Sequence, residues 1–76
     1  MAEAKFYTYV HRKASTGEVF YVGKGHGQRS GQRSRRSDYW KRVVEKYGLL
    51  VEILEYWDDE SDALAHERYL IASYRA

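Results

Sequence analysis

The stretch Val19-Phe20-Tyr21-Val22-Gly23-Lys24-Gly25 decides the fold of this chain. It predicts a β-strand, because β-branched and aromatic residues favour strands and the run stops at a glycine. A second aromatic run, Phe6–Val10, lies upstream, and a turn-like segment over residues 14–17 separates the two. Two short strands with such a connection predict a β-hairpin over residues 6–23, with its loop near residues 13–17.

Side chains on a strand alternate between its two faces. Tyr9 and His11 therefore share one face of the first strand, and Tyr21 and Gly23 share one face of the second. One register of the hairpin places Tyr9 and Tyr21 on the same face, beside an exit loop that carries Lys24. Two phenols beside a cationic loop are more typical of a functional site than of a core.

The composition indicates one small domain. The chain has 76 residues, no cysteine, no proline and 16% aromatic residues. Its length is near the lower limit for a self-sufficient core, and the absence of cysteine excludes disulfides and thiolate metal sites. The sequence has neither an apolar run of membrane-spanning length nor a basic-then-apolar leader, so we expect an intracellular protein, cytoplasmic or nucleoid-associated, without membrane association.

Charge is unevenly distributed, although the net charge is only +2. Residues 23–46 contain eight lysines and arginines against two acidic residues, and residues 49–67 contain seven acidic residues without lysine or arginine. The basic half indicates a polyanionic partner. The alternative is a solvated face whose charge is balanced elsewhere.

The segment over residues 26–37 contains Gly-Gln-Arg-Ser twice in tandem. It has few apolar groups to bury, so we predict a loop or at most a loosely helical turn. Its arginines suit contact with phosphate. The alternative of a disordered linker fits poorly in the middle of a domain.

A helix is predicted over residues 39–47, capped by Ser37 or Asp38 and ended by Gly48. Residues 49–57 then predict a third strand. Apolar residues occur on both of its faces, which favours the inner position of the sheet for this strand.

The last helix is predicted from Asp58 or Asp59 to about residue 73, with acidic residues in its first turn. Its apolar stripe includes Leu64 and Ile71, and Glu67 lies on the same stripe. A carboxylate on a packing face is costly unless it is paired or binds a metal. The alternative is an ion pair between Glu67 at the edge of the stripe and an arginine.

Six outlying residues together suit phosphodiester hydrolysis: Tyr9, His11, Tyr21, Lys24, Arg29 and Glu67. One carboxylate with substrate phosphate and waters can hold magnesium. An arginine fork matches phosphate oxygens and the charge of the transition state. A phenol near a cation can ionise below its usual pKa of about 10 and act as a base.

The spacing of these residues resembles the GIY-YIG nuclease module. Tyr7-Thr8-Tyr9 is followed after eleven residues by Tyr21-Val22-Gly23, and then by a Gly-Lys-Gly loop that leads to Arg29. Tyr-Thr replaces Gly-Ile in the first motif. The helix that begins near Tyr39 and the later Glu67 match in order and approximate spacing, so the resemblance covers nearly the whole chain.

The resemblance implies an α+β fold with a three-stranded antiparallel sheet flanked by helices. It also implies that the protein cuts DNA with one divalent cation, Mg²⁺ or Mn²⁺. By position it implies that Tyr9 and Tyr21 are the two motif tyrosines, that Arg29 is the catalytic arginine, and that Glu67 holds the metal. Our hypothesis for the roles is that one tyrosine, in the first place Tyr9, is the general base and Tyr21 orients it or the phosphate, with the choice of tyrosine left open. Arg29 and Lys24 would stabilise the developing charge.

Two further alternatives stay open beside these roles. His11 is the second candidate for the base, and as an exposed strand histidine it is equally consistent with having no role. Arg33 is the rival of Arg29, because the tandem repeat leaves the register ambiguous. The remaining basic residues of the loop are expected to contact nucleic acid; with Arg33 these are Arg35 and Arg36.

We expect a single catalytic domain over residues 1–76, monomeric in isolation. Relatives often continue with an asparagine-containing segment, so the resemblance implies a module trimmed at its C-terminus. Two other readings remain: a non-catalytic nucleic-acid-binding module that uses the basic loop and the tyrosine face, and a structural or protein-interaction domain.

Overall fold

The computed structural model describes residues 5–27, 29–33 and 36–74, with Arg29 described by its backbone only. The predicted α+β fold with a three-stranded antiparallel sheet is confirmed. In chain order the elements are β1 (Phe6–Lys13), β2 (Val19–Gly25), a 3₁₀ turn (Arg29–Gly31), α1 (Asp38–Tyr47), β3 (Leu49–Trp57) and α2 (Glu60–Tyr74).

The strand order is β2-β1-β3, so β1 is the central strand. The prediction that residues 49–57 form the inner strand is therefore wrong. β3 lies at an edge, and its apolar residues are largely exposed, among them Leu50 and Ile53. The residues on both faces of β1 are buried, and this includes the polar residues Thr8 and His11. The central strand is thus the one whose polar groups find buried partners.

The two helices cover opposite faces of the sheet. Val10 and Val22 are paired across β1 and β2, and both pack with Leu70 of α2 in the hydrophobic core. His11, one residue later on β1, contacts Trp40 of α1. Alternation along β1 therefore assigns α2 to one face and α1 to the other.

Both ends of α1 are closed by the residues that the sequence predicts. The hydroxyl of Ser37 accepts a hydrogen bond from the Trp40 backbone N–H at 3.1 Å. Gly48 follows the helix with φ of 81°, a conformation that favours glycine, and its N–H donates to the Val44 carbonyl. The helix is thereby confined between two polar caps.

The packed face of α2 differs in detail from the prediction. The helix begins at Glu60, and the Asp59 carbonyl accepts a hydrogen bond from the Ala63 N–H. Ala63 and Leu70 are buried, whereas Leu64 and Ile71 lie at exposed margins. Glu67 still lies on the packed side, one turn from each buried residue, and it is half-buried. Within the described ranges no helix is long and apolar enough to span a bilayer.

Candidate functional site

Tyr9 and Tyr21 lie on the same face of the sheet, as the alternation predicts. Tyr9 pairs with Gly23 across the hairpin, and His11 pairs with Tyr21. The ring centroids of the two tyrosines are 6.1 Å apart. The hairpin therefore brings together two phenols that are separated by eleven residues in the sequence.

Gly23 leaves the space that the phenol of Tyr9 occupies. A β-carbon at Gly23 would lie 2.5 Å from Cζ and 2.6 Å from the hydroxyl oxygen of Tyr9, and 2.9 Å from a ring carbon of Tyr21. Such distances are far inside van der Waals contact, so no larger residue fits without movement of the tyrosines. The close approach, and not the backbone conformation, requires glycine here, because the φ of Gly23 is not positive.

Tyr9 is buried, with 1% of its surface exposed. Burial raises the pKa of its phenol, and repulsion from Tyr21 adds to this, although the Arg36 guanidinium acts in the opposite direction. Because burial prevails, the expectation that a nearby cation lowers the pKa of the tyrosine base is wrong for Tyr9 in the free protein.

Arg36 is the arginine whose guanidinium contacts the tyrosine pair. Its Nη2 donates to the Tyr9 hydroxyl at 3.4 Å, and its Nε donates to the Gln32 carbonyl at 2.9 Å. The guanidinium carbon lies 4.9 Å from the ring centroid of Tyr21 and 5.4 Å from that of Trp40. The sequence placed Arg36 among the nucleic-acid contacts; no periodicity in this irregular segment signals its position at the phenols.

His11 is buried, and both of its ring nitrogens are engaged. The Trp40 indole N–H donates to Nδ1 at 3.0 Å, and Nε2 lies 2.6 Å from the Ser30 carbonyl. Since an indole N–H can only donate and a carbonyl can only accept, His11 is neutral with its proton on Nε2. Burial lowers its pKa accordingly. The view of His11 as an exposed strand histidine is wrong. Nδ1 is the nitrogen that could accept a proton, so a role as base would require the hydrogen bond from Trp40 to break.

Two buried side chains of β1 hold the 3₁₀ turn. The Ser30 N–H donates to the Tyr7 hydroxyl at 2.9 Å, and His11 donates to the Ser30 carbonyl. The Tyr7 hydroxyl in turn donates to the Gly27 carbonyl at 2.6 Å. The backbone that carries Arg29 is thus fixed from both sides of Tyr9.

The remaining arginines of the predicted loop are Arg29, Arg33 and Arg35. Arg33 is exposed. The side chain of Arg29 and all of Arg35 lie outside the described part of the chain. The choice between Arg29 and Arg33 as the catalytic arginine therefore stays a prediction.

A cleft of about 370 Å³ lies along the open edge of β2. Its lining combines a phenol, two carboxylates, a lysine and the glycine-rich exit of the strand: Tyr21, Lys24, Gly25, His26, Glu60 and Glu67. Lys24 and Glu60 form an ion pair at 2.9 Å in this cleft. The structure therefore brings Tyr21, Lys24 and Glu67 to one cleft, although Tyr21 and Lys24 lie on opposite faces of β2.

The oxygen donors of this cleft fit a hard divalent cation whose coordination is completed by the substrate. Carboxylate oxygens are the ligands that Mg²⁺ prefers, and one or two of them suffice when a phosphate and waters complete the coordination. Glu67 is the better placed of the two carboxylates, because Glu60 is paired with Lys24. Among the described residues there is no group of three histidine, aspartate or glutamate side chains that would form an all-protein site.

Comparison with known proteins adds no relative to this geometry. No protein-family model matches the chain, and no match was found among curated proteins or solved structures.

Proposed function

We propose that this chain is a divalent-metal-dependent DNA endonuclease that hydrolyses phosphodiester bonds in the cleft at the edge of β2. The observation that carries the proposal is the convergence of Tyr21, Lys24 and Glu67 on one open cleft, with Tyr9 and Arg36 directly behind Tyr21. The resemblance of the two tyrosine motifs to the GIY-YIG module supports the same chemistry.

Tyr21 is the better candidate for the group that meets the attacking water. It lines the cleft and is half-buried, whereas Tyr9 is enclosed and its pKa is raised. In the proposed step Tyr21 gives up its phenol proton to solvent and accepts a proton from the attacking water. The water oxygen bonds to phosphorus, the bond from phosphorus to the leaving oxygen breaks, and the leaving oxygen takes up a proton from solvent. This exchanges the roles that our initial hypothesis gave to the two tyrosines.

Arg36 and Lys24 supply positive charge around the reacting phosphate. The Arg36 guanidinium spans both phenols and so stabilises negative charge on the pair. Lys24 would exchange its ion pair with Glu60 for the incoming phosphate, because both groups lie in the same cleft. Charge stabilisation of this kind contributes most where water is excluded.

Glu67 would hold the cation. A Mg²⁺ held there would supply Lewis-acid stabilisation of the negative charge that develops during cleavage. Glu67 lies beside the cleft on a helix that packs on the sheet, so its carboxylate is presented from a rigid element.

Nicking of supercoiled plasmid tests the proposal. We expect magnesium-dependent conversion to open circles that EDTA abolishes, and loss of this conversion in Tyr21→Phe. Tyr69→Phe is the matched control, because Tyr69 is 65% exposed on α2 and lies outside the cleft. Equal nicking by Tyr21→Phe and the wild type would exclude Tyr21 as the base.

A non-catalytic nucleic-acid-binding module is the second candidate function. Two observations favour it. Lys24 is neutralised by Glu60, and burial raises the pKa of Tyr9, so neither group is prepared for catalysis in the free protein. Salt-sensitive DNA binding without any magnesium-dependent nicking would select this reading.

A further inference from the structure

A second concave surface lies between α1 and the end of β1. This groove has a volume of about 270 Å³ and is lined by three cations, two tyrosines and a valine: Lys13, Tyr39, Arg42, Val43, Lys46 and Tyr47. We refer to it as the α1 groove. Its lining includes no carboxylate from the described part of the chain. The groove shares no lining residue with the cleft at β2.

The two walls of the α1 groove are fixed to each other. The Ala14 N–H donates to the Gly48 carbonyl at 3.3 Å, and the Ser15 N–H donates to the Tyr47 carbonyl at 3.1 Å. The hairpin turn thus satisfies carbonyls at the C-terminal end of α1, which would otherwise lack partners within the helix. The groove is therefore preformed, and a ligand need not order its walls.

Two of its three positive charges lie near one aromatic ring. The ammonium of Lys13 lies 4.4 Å from the ring centroid of Tyr47, and that of Lys46 lies 5.3 Å from it. Lys13 pairs with Glu18, whose side chain is 66% exposed. Neither Lys46 nor Arg42 forms an ion pair with a carboxylate of residues 5–27, 29–33 or 36–74.

This concentration of charge has only a partial structural explanation. Lys46 lies in the last turn of α1, where a cation is favourable to the helix dipole. The same argument does not apply to Arg42, one turn earlier. Like charges that converge on a groove repel one another, and an anion that enters the groove relieves the repulsion.

We propose that the α1 groove binds the phosphate backbone of duplex nucleic acid and is a second contact for the DNA on which the cleft acts. This assignment rests on the proposed function. Tyr7 pairs with Gly25 at the cleft end of the sheet, and Lys13 lies six residues further along β1. That length is about 20 Å at the rise of a strand, which corresponds to about six base pairs of duplex.

The test is equilibrium binding of a duplex long enough to reach both surfaces, measured in EDTA over a range of salt. The variant is Arg42→Gln with Lys46→Gln. Its matched control is Lys41→Gln with Arg68→Gln, which removes the same charges from exposed positions outside the groove. We expect affinity to fall on the order of tenfold, and the slope of log affinity against log salt to decrease by about two. The control should change both far less.

Equal losses in the two double variants would overturn the proposal, because net charge rather than the groove would then set affinity. Competition by polyglutamate as effective as that by DNA would overturn it in favour of an acidic polypeptide. Nicking reports on the proposed function separately. If the chain does not nick but the groove variant alone loses affinity, the endonuclease assignment fails and the groove stands. If nicking persists and affinity is unchanged, the groove assignment fails alone.

Discussion

The phenol of Tyr9 lies against the backbone of Gly23, so close that a β-carbon at Gly23 would meet Cζ of Tyr9 at 2.5 Å. This contact gives a physical reason for the glycine of the Tyr21-Val22-Gly23 run in β2. Gly23 is the direct partner of Tyr9 across the hairpin, and its missing side chain creates the space in which the phenol is buried beside Tyr21. The first tyrosine motif and the glycine of the second therefore depend on each other.

Gly23→Ala should destabilise the protein by about 1–3 kcal/mol, the usual range for overpacking of a buried site. The added methyl forces both tyrosines to move, so nicking activity should fall as well. Urea unfolding measures the first effect. Gly31→Ala is the control, because nothing lies within 4 Å of its added β-carbon. Similar free energies of unfolding for both variants would contradict the close approach.

His11 predicts a pH dependence of stability. The fold keeps it neutral and lowers its pKa below the unfolded value of about 6.5. Its contribution to stability is therefore complete above about pH 6.5, because both states are then neutral. It is lost as the pH falls from there through the folded pKa, since the unfolded chain binds the proton first. The slope attributable to His11 reaches at most about 1.4 kcal/mol per pH unit.

His11→Gln should remove this slope below pH 6.5 and lower the stability at neutral pH by about 1–3 kcal/mol, because the Trp40 indole loses its buried acceptor. Urea unfolding at several pH values checks both effects. His26→Gln provides the comparison, since His26 is exposed. If His26→Gln reduced the slope and His11→Gln retained it, the pH dependence of stability would belong to His26 and not to His11.

Local sequence signals predicted the hairpin, the caps of α1 and the shared face of Tyr9 and Tyr21. Each depends on residues that are close in sequence or on strict alternation along a strand. The position of β3 depends instead on which strand pairs with β1, and its apolar residues on both faces were a misleading guide. Thr8 and His11 are buried polar residues of the central strand β1, and their polar atoms bond to His66, Trp40 and the backbone.

The position of Arg36 illustrates what the sequence could not provide. Arg36 belongs to an irregular segment without the apolar periodicity of a helix or strand. Its neighbours are therefore set by contacts with residues that are distant in the sequence. Tyr7 and His11 hold Ser30 by its N–H and carbonyl, and Arg36 contacts Tyr9 and Tyr21. Each of these contacts joins residues that are far apart in the sequence.

Arg36→Gln should lower turnover by about 10²–10³, because it removes charge stabilisation from the tyrosine pair. DNA affinity should change only a few-fold, since the guanidinium is partly enclosed by Tyr21 and Trp40. Single-turnover nicking and equilibrium binding separate the two effects. Arg33→Gln removes the same charge from an exposed position. Loss of turnover in Arg33→Gln but not in Arg36→Gln would identify Arg33 as the catalytic arginine instead.

Glu60→Gln should tighten DNA binding. The Glu60 carboxylate neutralises Lys24 at 2.9 Å and adds negative charge to the cleft that would receive a phosphate. An exposed ion pair contributes little to stability, so we expect affinity to rise by up to about fivefold with little change in stability. Asp62→Asn controls for net charge, because Asp62 lies in the same first turn of α2 but does not line the cleft. An equal rise with Asp62→Asn would show a general charge effect.

Glu67→Gln gives the sharpest separation of metal binding from structure. The carboxylate is half-buried on the packed side of α2 between Ala63 and Leu70, and none of the described residues forms an ion pair with it. A neutral amide of the same shape avoids part of the cost of burying charge, so the melting temperature without metal should be unchanged or slightly higher. Nicking should be lost, and any residual activity should need more magnesium, because the charge that holds the cation is gone. DNA affinity in EDTA should persist, since the basic residues are intact.

Glu45→Gln, an exposed change on α1, should nick normally. A carboxylate with a purely structural role predicts the opposite pattern, a lower melting temperature with nicking at the wild-type rate, and that result would end the assignment of Glu67 as the metal ligand.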